Sequence, residues 1–353
     1  MGARTHRVGI LLFDQVRLLD VAGPAEVFTQ ANLHGADYDV ATVAASERSA
    51  RSSMGAIGAT LALADAPEFN TVIVPGAAFP RQQVDSELVA AVSRITNGAD
   101  RIASVCTGTF VLAASGLLNG RRATTHWAAA GELASRYPEI AVDPDAMWVK
   151  DESLYSSGGC TAGIDLALGL VAEDHGATLA RSVAQDLVLH TVRPSRQSQI
   201  SAALQWSAPR SETIRTIVDK VIADPMADWS LQTLARATNV SRRHLSRMFR
   251  AEMATTPSLF VERVRIEQAS ALLDEGVKAI EAAARAGFPS YEAMRRAFTK
   301  RFGASPTQYR QRQLPTVRDV IVREHKGITA PDVRWMSRAS DDAAIKKELD
   351  HTF

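Results

Sequence analysis

Cys106, one of only two cysteines in the chain, stands in the stretch ASVCTGTFVLAASGLL (103–118), between an apolar run and a run with helical spacing. A thiol at the start of a helix sits at the positive end of the helix dipole, which favours the thiolate and raises reactivity. Gly108 admits a tight turn, and Thr107 and Thr109 are placed to cap the following helix. The pattern parallels the strand–nucleophile–helix elbow of hydrolases, in which a strained turn holds the nucleophile exposed. The other reading is a buried, inert cysteine, since free cysteine is among the most buried residue types. Two residues could handle a proton for a reacting thiol: His126 in TTHW as a base, and Asp20 in LLDVAGP as an acceptor. Their alternatives are a hydrogen-bonded structural histidine beside Trp127, and a cap for a helix starting at Gly23-Pro24. Cys160, behind Gly158-Gly159 at another helix start, reads as a packing residue rather than a partner of Cys106.

A second chemistry is carried by arginines. In WSLQTLARATNVSRRHLSRMFRAEM (229–253), Leu231, Leu234 and Ala235 form a short apolar face, Asn239-Val240 makes a turn, and Ser241 caps a second helix. Leu245, Met248 and Phe249 point inward on that helix, which puts Arg243, Arg247 and Arg250 on the opposite side with Ser246 beside them. Such a face can simply be solvated. As the second helix of a helix-turn-helix, however, it is the element that enters a major groove, where arginine bonds guanine bidentately. An offset of 49 residues repeats the pattern, laying Leu231 on Ile280, Ala235 on Ala284, Ser241 on Ser290, Leu245 on Met294, Arg247 on Arg296 and Phe249 on Phe298. In this second copy Glu292, Arg296 and Thr299 face outward with Arg295 at the flank; Glu292 is placed to pair with Arg296 or to accept from a cytosine amino group. SLFVERVRIEQASALL (258–273) reads as a helix joining the copies, so two readers could occupy successive major grooves about 34 Å apart.

The elements that must position these residues differ between the halves. Up to about residue 175, short β-rich runs (HRVGILLF, DYDVATVAA, FNTVIVPG, RIASVC) alternate with helical patterns at 25–32, 86–96 and 107–118. That βαβ rhythm predicts an α/β, doubly wound parallel sheet with its ligand site at the carboxyl edge, where Cys106 falls. The second half predicts an all-α domain. A chain of 353 residues is long enough for two cores, and its 46% apolar and 22% charged residues suit a soluble globular protein. Net charge is only +1, yet residues 211–315 hold 17 Lys and Arg against 11 Asp and Glu, a net of +6 against −5 elsewhere, so a polyanion partner is expected for that segment alone. Two cysteines exclude a disulfide scaffold and cannot make a zinc-type spacing by themselves, and the apolar stretch 8–13 is too short for a signal sequence or a membrane span. A cytoplasmic protein is expected, with no membrane contact, no cofactor and no metal.

SVCTGTFVLAASGLLNGRRATTHW, LLDVAGPAEVF (18–28) and SSGGCTAGIDLALGLV (156–171) together resemble the ThiJ/PfpI superfamily of glutamine-amidotransferase-like domains, over roughly 7–190. The resemblance implies a flavodoxin-like, class I glutamine-amidotransferase-like fold. Its isonitrile hydratases pair a Leu-Asp near the first strand with Cys-Thr at the elbow, positions held here by Asp20, Cys106 and Thr107. It also implies that Glu26 and His126 lie near the pocket and that the Gly76 N–H is an oxyanion donor. Ala77 departs from the second glycine of many members. Residues 211–315, above all AIEAAARAGFPSYEAMRRAFTKRFGASPTQYR, resemble the AraC/XylS family of transcription regulators. This implies duplex DNA as partner, read by Ser241, Arg242, Arg243, Ser246, Arg247 and Arg250, and by Ser290, Glu292, Arg295 and Arg296. The expected organisation is a sensing or dimerisation domain over 1–192, a linker over 193–210, the double helix-turn-helix over 211–315 and a tail over 316–353. The reading is a homodimeric regulator responsive to a small molecule, with an isonitrile-hydratase-like or amidase-like enzyme at Cys106 as the alternative.

Overall fold

The structure, a computed structural model, describes residues 5–45, 49–77, 83–195, 197–201, 209–302 and 304–311; the expected tail, 196 and 202–208 of the expected linker, and 303 and 312–315 of the expected double helix-turn-helix lie outside them. The first half runs β1 (His6–Leu12), α1 (Leu18–Leu33), β2 (Tyr38–Ala44), β3 (Ser49–Ser52), β4 (Gly55–Gly58), β5 (Leu61–Ala62), β6 (Thr71–Val74), α2 (Ser86–Ile95), β7 (Arg101–Val105) and α3 (Gly108–Ala114). It continues with β8 (Arg122–Ala123), α4 (Ala130–Arg136), β9 (Ala141–Val142), β10 (Trp148–Asp151), β11 (Leu154–Ser157), α5 (Ala162–His175) and α6 (Ala177–Asp186). Seven strands form one sheet in the order β10-β11-β7-β6-β1-β2-β5, parallel except for the β10–β11 pair.

Central strands buried on both faces read as unbroken apolar runs, because each face needs its own cover. Along β1, Val8, Ile10 and Leu12 join the core under α1, α5 and α6, while Leu11 joins the core on the other face with Leu88 and Val92 of α2 and Phe110 and Leu112 of α3. The chain passes to opposite sides of β1 on leaving it for β2 and on returning to β6, so the carboxyl ends of β1 and β6 flank the switch point where α/β sheets bind ligands.

α1 starts at Leu18, a full two turns before the helical pattern at 25–32. Its N-cap, Arg17, makes no side-chain capping bond, so no polar signature marks the start, and Pro24 lies inside the helix. Proline there has no N–H to give the Asp20 carbonyl four residues back. Asp20 is therefore a helical, fully buried residue and not a cap.

The second half comprises α7 (Glu212–Ala223), α8 (Leu231–Ala237), α9 (Arg242–Met253), α10 (Pro257–Asp274), α11 (Ala279–Arg285), α12 (Tyr291–Phe302) and α13 (Pro306–Gln311). α10 opens on Pro257, with the Thr256 hydroxyl accepting from the Leu259 N–H. Phe260, Val261 and Val264 of its first half pack with α7, α8 and α9; Ile266, Ala269, Leu272 and Leu273 of its second half pack with α11, α12 and α13. At 1.5 Å per residue α10 is a rod of about 27 Å that belongs to both cores.

The repeat is real in the second helices, α9 and α12, at 49 residues, but the first helices, α8 and α11, superimpose at 48. Buried Leu234 and Ala235 correspond to buried Ala282 and Ala283, whereas Ile280 is 74% exposed, like Gln232. The turns absorb the difference. Left-handed Asn239 is followed by one residue before the Ser241 cap, and left-handed Gly287 by two, Phe288 and Pro289, before Ser290.

Residues 193–195 and 197–201 lie against the α/β half: Arg193 bonds Asp165 (2.6 Å), and the Gln199 amide donates to the carbonyls of Thr125 (2.8 Å) and Ala146 (3.0 Å). Arg301 at the end of α12 reaches Asp145 and the Ser198 hydroxyl (3.1 Å). Among the described residues no helix is long and apolar enough to cross a membrane.

Candidate functional site

Cys106 occupies the single residue step from β7 into the turn before α3, with φ of 57° in the left-handed region that a side chain adopts only when the surroundings impose it. They do so from both sides. Its N–H donates to the carbonyls of Ser157 (3.1 Å) and Gly158 (2.9 Å), and its carbonyl accepts from the Thr125 hydroxyl (2.8 Å). Two glycines let β6 come close enough to close the elbow. A Cβ on Gly108 would run into the Val74 carbonyl, and one on Gly76 would meet Asp20 Oδ2 at 2.7 Å and the Cys106 Cβ at 2.8 Å.

The expected helix caps do other work. Thr107 makes no capping bond; its hydroxyl donates to the Ala77 carbonyl (2.6 Å) and accepts from the Ala77 N–H (2.9 Å), tying the elbow to the end of β6. The Thr109 hydroxyl goes to the Thr124 carbonyl (2.9 Å). The Gly76 N–H, expected to serve an oxyanion, donates instead to Asp20 Oδ2 at 3.0 Å.

Cys160 is not the packing residue that its sequence position implied. It adopts a left-handed conformation too (φ 40°), it is half-buried, and its sulfur, that of Cys106 and a carboxylate oxygen of Asp20 all lie within 4.8 Å of one another. The sequence held a signal for this: SVCT and GGCT both put a cysteine between a strand and a helix, and β7 and β11 are paired neighbours, so the two thiols emerge at one edge.

The electrostatics reverse the helix-dipole argument. Cys106 donates its thiol proton toward Cys160, and that bond, burial, and the Asp20 carboxylate push its pKa far above the ordinary thiol value; the Thr107 N–H opposes them weakly. Cys160, accepting from Cys106, lies below the ordinary thiol value. Burial raises the Asp20 carboxyl, against the bond from Gly76. Of the two sulfurs, Cys160 is therefore the one that carries negative charge first.

His126 does not act on Cys106 in this arrangement. Its Nδ1 accepts from the Ala128 N–H (3.2 Å), so Nε2 carries the ring proton, and burial and Arg17 lower its pKa. Glu26 is exposed, six residues past Asp20 on α1, outside the cluster.

In the helical half, Arg242, Arg243, Arg247 and Arg250 are exposed on α9, opposite buried Leu245 and Phe249, and Ser246 is half-buried, donating to the Arg242 carbonyl (2.9 Å). The Ser241 hydroxyl caps α9 by accepting from the His244 N–H. On α12, Arg295 and Arg296 are exposed, and Glu292 pairs with Arg295 at 2.9 Å, three residues on, instead of with Arg296.

These two sites coincide with two matched families. Residues 6–173 match the DJ-1/PfpI family and residues 234–312 a helix-turn-helix domain. The chain is 32% identical over 235 residues to the HTH-type transcriptional regulator CdhR of Pseudomonas aeruginosa, spanning 65% of this chain and 69% of that one. It belongs to the HTH-type transcriptional regulators of AraC type with an N-terminal DJ-1/PfpI domain. A second such regulator, GbdR of the same species, is 28% identical over 313 residues, 87% of this chain and 84% of that one. The isonitrile hydratase of Pseudomonas putida is 37% identical over 184 residues, 50% of this chain and 75% of that one. In this AraC-type regulator the relatives that span both halves carry regulators' names, and the hydratase aligns with half of the chain.

Proposed function

We propose that this AraC-type regulator reads duplex DNA as a homodimer through α9 and α12, with residues 1–192 supplying dimerisation and effector sensing and 211–315 the reading heads. The observation that carries this is the mounting of two helix-turn-helix units on α10, with exposed arginines opposite the buried face of α9. A rod of fixed length holds two recognition helices at one separation, which is what reading paired grooves requires. Arg243 and Arg247 are the foremost base readers, Arg242, Arg250, Arg295 and Arg296 neutralise phosphates or read at the flanks, and Ser241, Ser246, Ser290 and Glu292 cap and orient. Genome-wide footprinting of the purified protein tests this: discrete sites with two half-sites are expected, and uniform protection would overturn it. Sedimentation of the full chain without DNA tests the homodimer, a strict monomer being the failing result.

The enzymatic reading draws on the likeness to an isonitrile hydratase and on Asp20, Cys106 and Thr107 standing at the elbow. Against it, the Gly76 donor is taken by Asp20, the Cys106 thiol keeps its proton, and His126 is engaged elsewhere. The pocket is thus better suited to holding a ligand than to delivering a nucleophile. Incubating the full chain with isonitriles should give no turnover; turnover abolished by Cys106→Ala would establish the enzyme.

A further inference from the structure

Three elements far apart in sequence, α1, the β7–α3 turn and the turn before α5, bring one carboxylate oxygen and two sulfurs within 4.8 Å of one another. The Asp20 side chain is fully buried; its Oδ2 is held by the Gly76 N–H, and its Oδ1 has no hydrogen-bond partner. A buried carboxylate oxygen left unpaired costs free energy unless something else satisfies it.

We propose that Asp20, Cys106 and Cys160 bind one thiophilic divalent cation of the zinc and cadmium class. The proposal rests on the sensory reading of this pocket and gives its effector a chemical identity. Zinc takes thiolate sulfur at about 2.3 Å and carboxylate oxygen at about 2.0–2.2 Å, so ligand atoms around one tetrahedral ion stand roughly 3.5–4 Å apart. The three atoms, within 4.8 Å of one another, stand at most about an ångström beyond that range, and half-buried Cys160 is the ligand with room to adjust. The Gly76 N–H is the supporting bond that orients a ligating carboxylate and leaves its other oxygen for the ion. Both cysteines sit on left-handed backbone at the same sheet edge, and their sulfurs lie within 4.8 Å of each other.

Two sulfurs and a single oxygen exclude calcium and magnesium, which require oxygen cages. A disulfide between the cysteines would use the sulfurs but leave Asp20 Oδ1 unpaired, whereas a cation uses all three groups. Coordination forms two metal–sulfur bonds and one metal–oxygen bond, and Cys106 and Cys160 each release a proton to solvent. With three protein ligands, a fourth position stays open to water or a small anion.

The test is titration of the reduced full-length protein with zinc alone, by equilibrium dialysis, and with cadmium alone, by its near-ultraviolet sulfur-to-metal absorption. One equivalent per chain is expected, with affinity rising with pH as the thiols give up protons. Cys160→Ser should abolish the cadmium–sulfur signal of a paired-thiolate site, and Asp20→Asn, which keeps an acceptor for Gly76, should weaken zinc binding at least about tenfold. Absence of stoichiometric uptake by the reduced chain overturns the proposal, as does an unchanged isotherm in Cys160→Ser. Because position 160 is half-buried, that variant decides the matter alone if Asp20→Asn fails to fold by circular dichroism. DNA affinity is measured separately with and without zinc. Sequence-specific DNA binding with no zinc uptake sinks the metal site and leaves the regulator standing; zinc uptake without DNA binding upholds the site and sinks the regulator.

Discussion

Asp20, Cys106, Thr107 and Thr109 in the α/β half are all buried, each bonded to backbone groups of neighbouring segments, whereas Arg242, Arg243, Arg247 and Arg250 in the helical half stand in water. Burial in the first case fixes geometry and shifts protonation; exposure in the second leaves charge free to meet a polyanion. A similar contrast recurs between the two helix-turn-helix units. Among the described residues the α9 arginines pair with no carboxylate, while on α12 Arg295 pairs with Glu292 and Arg301 is tied to Asp145 and Ser198 of the other half. On the proposed function α9 would be an open reader, and α12 one also anchored to the α/β half.

The largest expected effect separates the halves. DNA affinity should fall by about 10³–10⁵ between 50 and 200 mM salt if six to ten phosphates are neutralised, and Cys160→Ser should leave that dependence unchanged. A flat salt profile breaks the comparison at once. Next is thiol labelling. A lowered pKa places the thiolate of Cys160 at lower pH than that of an ordinary cysteine, and a raised pKa moves that of Cys106 upward, so alkylation near neutral pH should favour Cys160. Its rate should climb with pH from below the usual thiol range. Mass spectrometry of the two peptides reads both rates, and faster labelling of Cys106 would restore the helix dipole as the governing effect.

Between the units, Arg247→Ala should cost about 1–3 kcal/mol on the specific site and relax preference at one base pair, with a smaller loss for Arg296→Ala. Equal losses on specific and random DNA would reassign Arg247 to phosphate. The two turns should differ in stability. Gly287 is left-handed (φ +80°) and a Cβ there would meet Met226 Cα at 2.7 Å, so Gly287→Ala should destabilise by about 1–3 kcal/mol, against about 1 kcal/mol for Asn239→Ala, in chemical denaturation. Smallest is the anchor: a double-mutant cycle of Arg301→Ala with Asp145→Asn should return about 0.5–1 kcal/mol, because the pair is partly exposed and screened. A zero coupling would remove the distinction between the open and the anchored reader.

Much of the fold was legible because it rests on local period and punctuation. The strands at 6–12, 38–44, 71–74 and 101–105 announce themselves as apolar β-rich runs, and Ser241 and Ser290 as caps. The start of α1 was not legible, since Arg17 caps nothing and Pro24 imitates a helix start from inside the helix. The register of α8 on α11 was hidden by one extra turn residue, which a fixed offset of 49 cannot accommodate.

By itself the sequence determined two halves of different class, a cysteine at a strand–helix junction and an arginine face on the second helix of a repeated unit, because each follows from residue type and spacing within a few turns. The tertiary structure alone decided that Cys160 and Asp20 meet Cys106, that Asp20 rather than an oxyanion holds the Gly76 N–H, and that Glu292 chooses Arg295. Those outcomes depend on which strands pair and on side-chain reach across a few ångströms. Proton sharing between buried groups is then set by distance and desolvation, neither of which is written in the order of residues.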